Sequence, residues 1–160
     1  MSETLADRWH SVQEQVGQAC RDSGRSPEEV TTIVVTKFHP PSLVRELHGL
    51  GVRHVGENRH QDAAPKAQEV ADLDLSWHFV GQLQSNKARA VAAYCGVIHS
   101  VDRESLVDAL AKFDGSVDVF LEVNLTDVPG RGGVEPADLV KLAESTLAAG
   151  NLRLRGLMAV

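Results

Sequence analysis

The chain has 160 residues, 42% hydrophobic and 24% charged, a globular composition long enough to bury one core, so residues 1–160 are expected to form a single domain. A net charge of −6 and a pI near 5.6 argue against a sequence-independent grip on nucleic acid or on an anionic membrane, since both need surplus Lys and Arg. No stretch approaches the ~18 uninterrupted apolar residues of a bilayer span, and Met1 to Ala6 lacks the basic start and apolar run of a signal peptide, so a cytoplasmic protein is expected.

Between Ser2 and Gly24, Leu5, Trp9, Val12, Val16 and Ala19/Cys20 recur every three or four residues, the pattern of an amphipathic helix ending at a glycine. Thr31 to Thr36 is a β-branched run suited to a parallel strand buried on both faces. The alternation then repeats. A helix over Pro41 to Leu50, with proline in its first turn, precedes a strand at Val52 to Gly56, and a helix over about Gln61 to Val70 leads to a strand at Trp77 to Val80. A helix over Asn86 to Tyr94 leads to Val97 to Ser100, and one over Arg103 to Phe113, capped by Asp102, leads to Val117 to Asn124. The last helix, Pro136 to Ala149, stops at Gly150 before a strand from Leu152 to Val160. Cys20 and Cys95 lie in apolar helical patterns and form no CxxC, which predicts buried free thiols.

Strict alternation of strand and helix predicts parallel strands joined by right-handed crossovers, in either a doubly wound sheet or a (β/α) barrel. A complete barrel has eight units and about 250 residues, whereas six strands are counted here and the last ends the chain without a covering helix. The expectation is a barrel of about six units, C-terminally incomplete, with exposed sheet edges that favour association or instability.

In such folds functional groups stand just past the carboxyl ends of the strands. Those positions hold Lys37; Gly56, Glu57 and Asn58; His78 with Gly81 to Gln84; His99 and Ser100; Asn124; and Met158. A lysine directly after a β-branched run would sit in a partly dry mouth, where desolvation favours the free amine that condenses with an aldehyde. Plainer roles fit the same residues. Lys37 would be a solvated loop lysine paired with Glu57, Asn58 would cap the following helix, and His78 and Met158 would pack in the core. Gln84 to Lys87 reads as a capped helix start. Gly130 to Gly133 has the look of a phosphate loop but lacks the lysine and the serine or threonine of one, and the seven histidines show no HExxH spacing, so no metal is expected.

The ordered series Val35-Thr36-Lys37 with Pro40, Gly56-Glu57-Asn58 with Gln61, and Trp77 to Gly81 with Leu83 to Lys87 resembles the signature of the pyridoxal-phosphate homeostasis proteins. His99-Ser100-Val101-Asp102, Glu122-Val123-Asn124 and Leu154 to Ala159 continue it in order to the end of the chain. The resemblance implies an α/β, TIM-type barrel of the alanine racemase N-terminal kind. It further implies pyridoxal 5'-phosphate held as a Schiff base by Lys37, with Asn58 beside the ring and His78, Asn124 and Met158 lining the pocket. By the same resemblance the protein is a non-catalytic carrier that buffers and delivers the cofactor, with PLP-dependent apoenzymes as recipients and a monomer as its state if complete. Arg59 and His60 depart from the family pattern, and two further strands of that pattern are not in this chain, so the phosphate clamp is expected to be missing and binding weakened. The competing readings are a racemase or decarboxylase of the same fold, which would need a second acid/base group, and a truncated barrel that has lost its ligand.

Overall fold

A computed structural model describes residues 3–160. Helix α1 (Leu5–Asp22) opens with a capping box, in which Thr4 accepts from the Asp7 amide and the Asp7 carboxylate accepts in return from the Thr4 amide. Six strands follow, β1 (Val34–Val35), β2 (His54–Glu57), β3 (Ser76–Phe79), β4 (Val97–Val101), β5 (Val117–Glu122) and β6 (Leu152–Met158). Between them run α2 (Pro41–Gly49), α3 (His60–Glu69), α4 (Ala88–Ala92), α5 (Glu104–Ala111) and α6 (Leu139–Ala148).

All neighbouring strands pair in parallel, and the sheet order is β1-β2-β3-β4-β5-β6. A doubly wound sheet reverses its strand order at a switch point, whereas this one does not. The sequential order therefore decides for the barrel type, with every crossover helix on one side. The core lies between that side of the sheet and the helices: Val55, Phe79, Ile98, Val119 and Leu121 pack against Val44, Leu47, Val91, Leu106, Leu110 and Leu142. Each of these fully buried side chains contributes roughly 1.5–3 kcal/mol of transfer free energy. The other, concave side of the sheet is not covered, which leaves Val35 44% exposed although it sits in a strand. Cys20 and Cys95 are free and buried. Among the described residues no helix is long and apolar enough to cross a membrane.

The first strand is shorter than its β-branched run. It is an edge strand, and its register, Val34↔Val55, sets Thr31 and Thr32 opposite residues that precede the start of β2. Asp102 does not cap α5. Arg103 is the N-cap residue without a side-chain bond, and the Asp102 carboxylate instead accepts from the Arg103 guanidinium at 2.6 Å and from the Gly133 amide at 3.3 Å. The expected start at Gln84 likewise has no side-chain cap, and Ser85 accepts from Arg103 at 3.3 Å, tying the turn to α5.

Candidate functional site

Side chains alternate across a strand, so each strand gives one set to the helices and the other to the concave face. On β2, Val55 and Glu57 face the helix layer and are fully buried, whereas a Cβ on Gly56 would stand 3.2 Å from the Ile33 and Val35 side chains of the concave face. Lys37 follows β1, two residues beyond the Val35↔Gly56 pair, and Asn58 stands at the matching place after β2. The two strand ends are neighbours at the carboxyl mouth. Gly81 closes the next position: a Cβ there would lie 2.2 Å from the Asn58 carbonyl oxygen, so the chain after β3 reaches this distance only as glycine.

Lys37 is exposed, not set in a dry mouth, and its amine pairs with no carboxylate among the described residues; it lies 5.9 Å from the Phe38 ring centroid. The Arg59 guanidinium stands 6.0 Å from the same ring, so two basic side chains approach Phe38. Glu57 is not the partner of Lys37. It is fully buried and pairs with Lys66 of α3, itself 6% exposed, while the Thr36 hydroxyl donates to the same Glu57 oxygen at 2.6 Å. Lys66 escaped the sequence reading although a signal was present, since Ala63, Lys66, Ala67 and Val70 share one helical face and a lysine there falls on the core side.

Asn58 does not cap α3. The N-cap residue is Arg59, without a side-chain bond, and the Asn58 side-chain oxygen is buried with no donor. Asn58 lines a cavity of about 330 Å³ with Arg59, Gln82 and Lys87; Lys37 is not among its walls. His78 lies deeper on the concave face, paired in register with Gly56 and Val97. Its Nε2 is 2.9 Å from His54 Nδ1 and its Nδ1 is 2.9 Å from His99 Nε2, so three imidazoles form a ladder across β2, β3 and β4, capped by Phe120 stacked on His99 with ring centroids 4.7 Å apart. Burial, reinforced by His99 and His54, pushes the His78 pKa down to about 4, and burial also lowers that of His99.

At the far side of the mouth, Met158 of β6 is half-buried opposite Glu122, and Asn124 follows β5. The Asn124 side chain is already engaged, accepting from the Thr126 amide at 3.0 Å and donating to Glu135 at 3.0 Å. Thus Lys37 and Asn58 follow the ends of neighbouring strands without sharing a cavity, His78 lies further back on the concave face, and Asn124 and Met158 form a separate group at the other edge. Burial, with the Asp102 charge, raises the Glu122 pKa against the opposing effect of Arg131. Asp118 feels burial most, yet hydrogen bonds from Arg155 and Arg153 outweigh it and hold the carboxyl below its usual range. Among the described residues no three His, Cys, Asp or Glu side chains converge to hold a metal ion.

The alanine racemase N-terminal domain family matches residues 24–160. The pyridoxal phosphate homeostasis protein of Pseudomonas aeruginosa is 40% identical over 98% of this chain and 70% of its own length. The chain belongs to the pyridoxal phosphate homeostasis protein family. PipY of Synechococcus elongatus, solved without PLP, superposes with a TM-score of 0.83 at 37% identity, covering 98% of this chain and 70% of PipY. The same protein with PLP bound gives 0.75 at 36% identity over 91% of this chain and 69% of that one. Alanine racemase of Corynebacterium glutamicum, 11% identical with a TM-score of 0.63 over 79% of this chain and 37% of its own, shares the fold. The family's barrel is thus represented here by six consecutive strands in barrel order.

Proposed function

We propose that this chain binds pyridoxal 5'-phosphate through Lys37 and acts in the cytoplasm as a carrier that buffers the cofactor and yields it to apoenzymes, with residues 1–160 forming one binding unit. The observation that carries the reading is the pairing of an exposed, uncommitted primary amine at Lys37 with a buried, unpartnered Asn58 oxygen at the end of the adjacent strand. These groups fit such a cofactor, which supplies an aldehyde that a primary amine attacks and a ring hydroxyl that seeks an acceptor.

Each residue then has a task. Lys37 would hold the cofactor through its primary amine, which condenses with the aldehyde with loss of water, Asn58 would accept from a ring substituent, and Arg59, beside Phe38, would add positive charge at the mouth. His78 and Met158 border the concave face beneath and beside them, and Asn124 shapes the loop after β5. A carrier role rather than turnover accords with the ladder: His78, held neutral by burial, is bonded on both sides by rings and has no nitrogen left for a substrate. The relatives' name and the PLP-bound PipY structure support the same reading.

The test is to incubate the chain with pyridoxal 5'-phosphate, reduce with borohydride and map the adduct by peptide mass spectrometry. A single pyridoxyl adduct on the Lys37 peptide, abolished in Lys37→Ala, is expected; label scattered over surface lysines, or unchanged in that variant, would refute the proposal.

A further inference from the structure

The exposed turn that carries Lys37 is anchored from beneath by a buried ion pair. The Thr36 carbonyl accepts from the His39 amide at 3.1 Å and from Lys66 Nζ at 2.8 Å. The Thr36 hydroxyl and Lys66 both donate to one Glu57 oxygen, and the other Glu57 oxygen is buried without a donor. Three elements meet here: the end of β1, the end of β2 and the core face of α3.

Apolar residues of similar volume would commonly hold such a space as firmly as a buried ion pair, so stability alone is a poor reason for this one. The turn above it supplies another. The Thr36–His39 bond closes four residues with Lys37 and Phe38 at the centre, and Phe38 has φ 67°, the one non-glycine residue with positive φ among those described. Positive φ at the third position marks a type II turn, where glycine is at ease and phenylalanine is strained. A strained conformation persists only where its surroundings over-determine it, and the bonds on Thr36 do so at the residue before Lys37.

We propose that Lys66 and Glu57 are positioning residues that, through Thr36, set the direction in which Lys37 leaves the sheet. This rests on Lys37 being the cofactor-bonding lysine. Without the clamp, the Thr36 carbonyl keeps only its bond within the turn, Lys37 samples more directions, and the local concentration of amine at the aldehyde falls.

Removing Lys66 alone would strand a buried carboxylate, so the variants are Thr36→Val, which deletes the hydroxyl at constant shape, Thr36→Ser, which keeps it, and the paired Lys66→Met/Glu57→Gln. Each is titrated with pyridoxal 5'-phosphate, trapped with borohydride and quantified at the Lys37 peptide. Thr36→Val and the paired variant should raise the half-saturating concentration about tenfold with the same plateau, and Thr36→Ser should match the parent. Separately, without cofactor, Phe38 backbone chemical shifts should leave the left-handed region in the first two and stay there in Thr36→Ser. Unchanged half-saturation and unchanged Phe38 shifts in Thr36→Val overturn the proposal, and the Thr36 pair decides even if the paired variant does not fold. Failure of the parent itself to label at Lys37 would sink the carrier reading instead, while the Phe38 shifts would still judge the clamp.

Discussion

Acid should weaken the fold through the histidine ladder, and His78→Gln should remove most of that effect. His78 is 6% exposed, and its pKa, pushed down to about 4, stands well below the ordinary 6.5 because burial disfavours the cation and His99 and His54 add to the penalty. As pH falls from 6.5, an unfolded chain takes up this proton first and the folded chain resists it, so stability is complete above about 6.5 and is lost down to about 4. At about 1.4 kcal/mol per pH unit the difference amounts to on the order of 3 kcal/mol, against a total of roughly 5–15 kcal/mol for a domain. His99 adds in the same direction, whereas Glu122, whose pKa is raised, opposes it. The quantity to read is therefore the difference between parent and variant. Urea unfolding followed by tryptophan fluorescence at several pH values between about 4.5 and 7.5 provides it, with slopes m compared to check that the unfolded states match. A parent whose stability is flat across this window, or a variant with the same slope as the parent, would show that the buried ladder does not govern the titration.

Two backbone substitutions test the mouth of the sheet. Gly81→Ala would place a Cβ 2.2 Å from the Asn58 carbonyl oxygen and 2.7 Å from its Cα, atoms that cannot swing aside, so a loss of roughly 2–3 kcal/mol in urea unfolding is expected; a neutral result would mean that the strand ends separate at little cost. Phe38→Gly should stabilise the fold by roughly 0.5–1 kcal/mol, the relief of positive φ less the greater freedom of glycine in the unfolded chain. A loss on the same assay would show that the contacts of Phe38 with Lys37 and Arg59 exceed the strain.

Most of the fold was legible because alternating apolar runs and helical periods are local signals, and all six strands and all six α-helices lie within a few residues of their predicted places. The sheet order was not, since a doubly wound sheet and a barrel share the same local pattern and differ only in which strand joins which. At the site, Lys37 and Asn58 were singled out from their places after strands, but the bonds around them carry no local signal. Glu57 was matched to the lysine nearest in motif, whereas strand alternation turns it to the opposite face, where Lys66 waits on a helix. Asp102 and Asn58 were read as caps because their residue types favour that task, yet the adjacent Arg103 guanidinium and the distant Gly133 amide claimed the first, and the second was left without a partner. The left-handed Phe38 had no signal at all, because phenylalanine at such a position contradicts local preference.

The two faces of the sheet explain how one chain supports both a stable fold and an unusual site. Barrel interiors are ordinarily layers of bulky apolar side chains, and a sheet relying on its concave side for cohesion would carry Val, Ile and Leu there. This sheet instead sets His54, His78, His99, Asp118, Arg153 and Arg155 on that side, each paired with another member of the set. The apolar burial sits almost wholly between the strands and the helices. Polar side chains with mutual partners add little net stability, so the concave side is the part of the structure that chemistry can occupy at least cost to folding. Lys66 and Glu57 are the exception that ties the halves together. They set an ion pair in the apolar layer with Lys66 bonded to the peptide that precedes Lys37, and under the positioning role proposed above the direction of the exposed amine depends on the packing of α3.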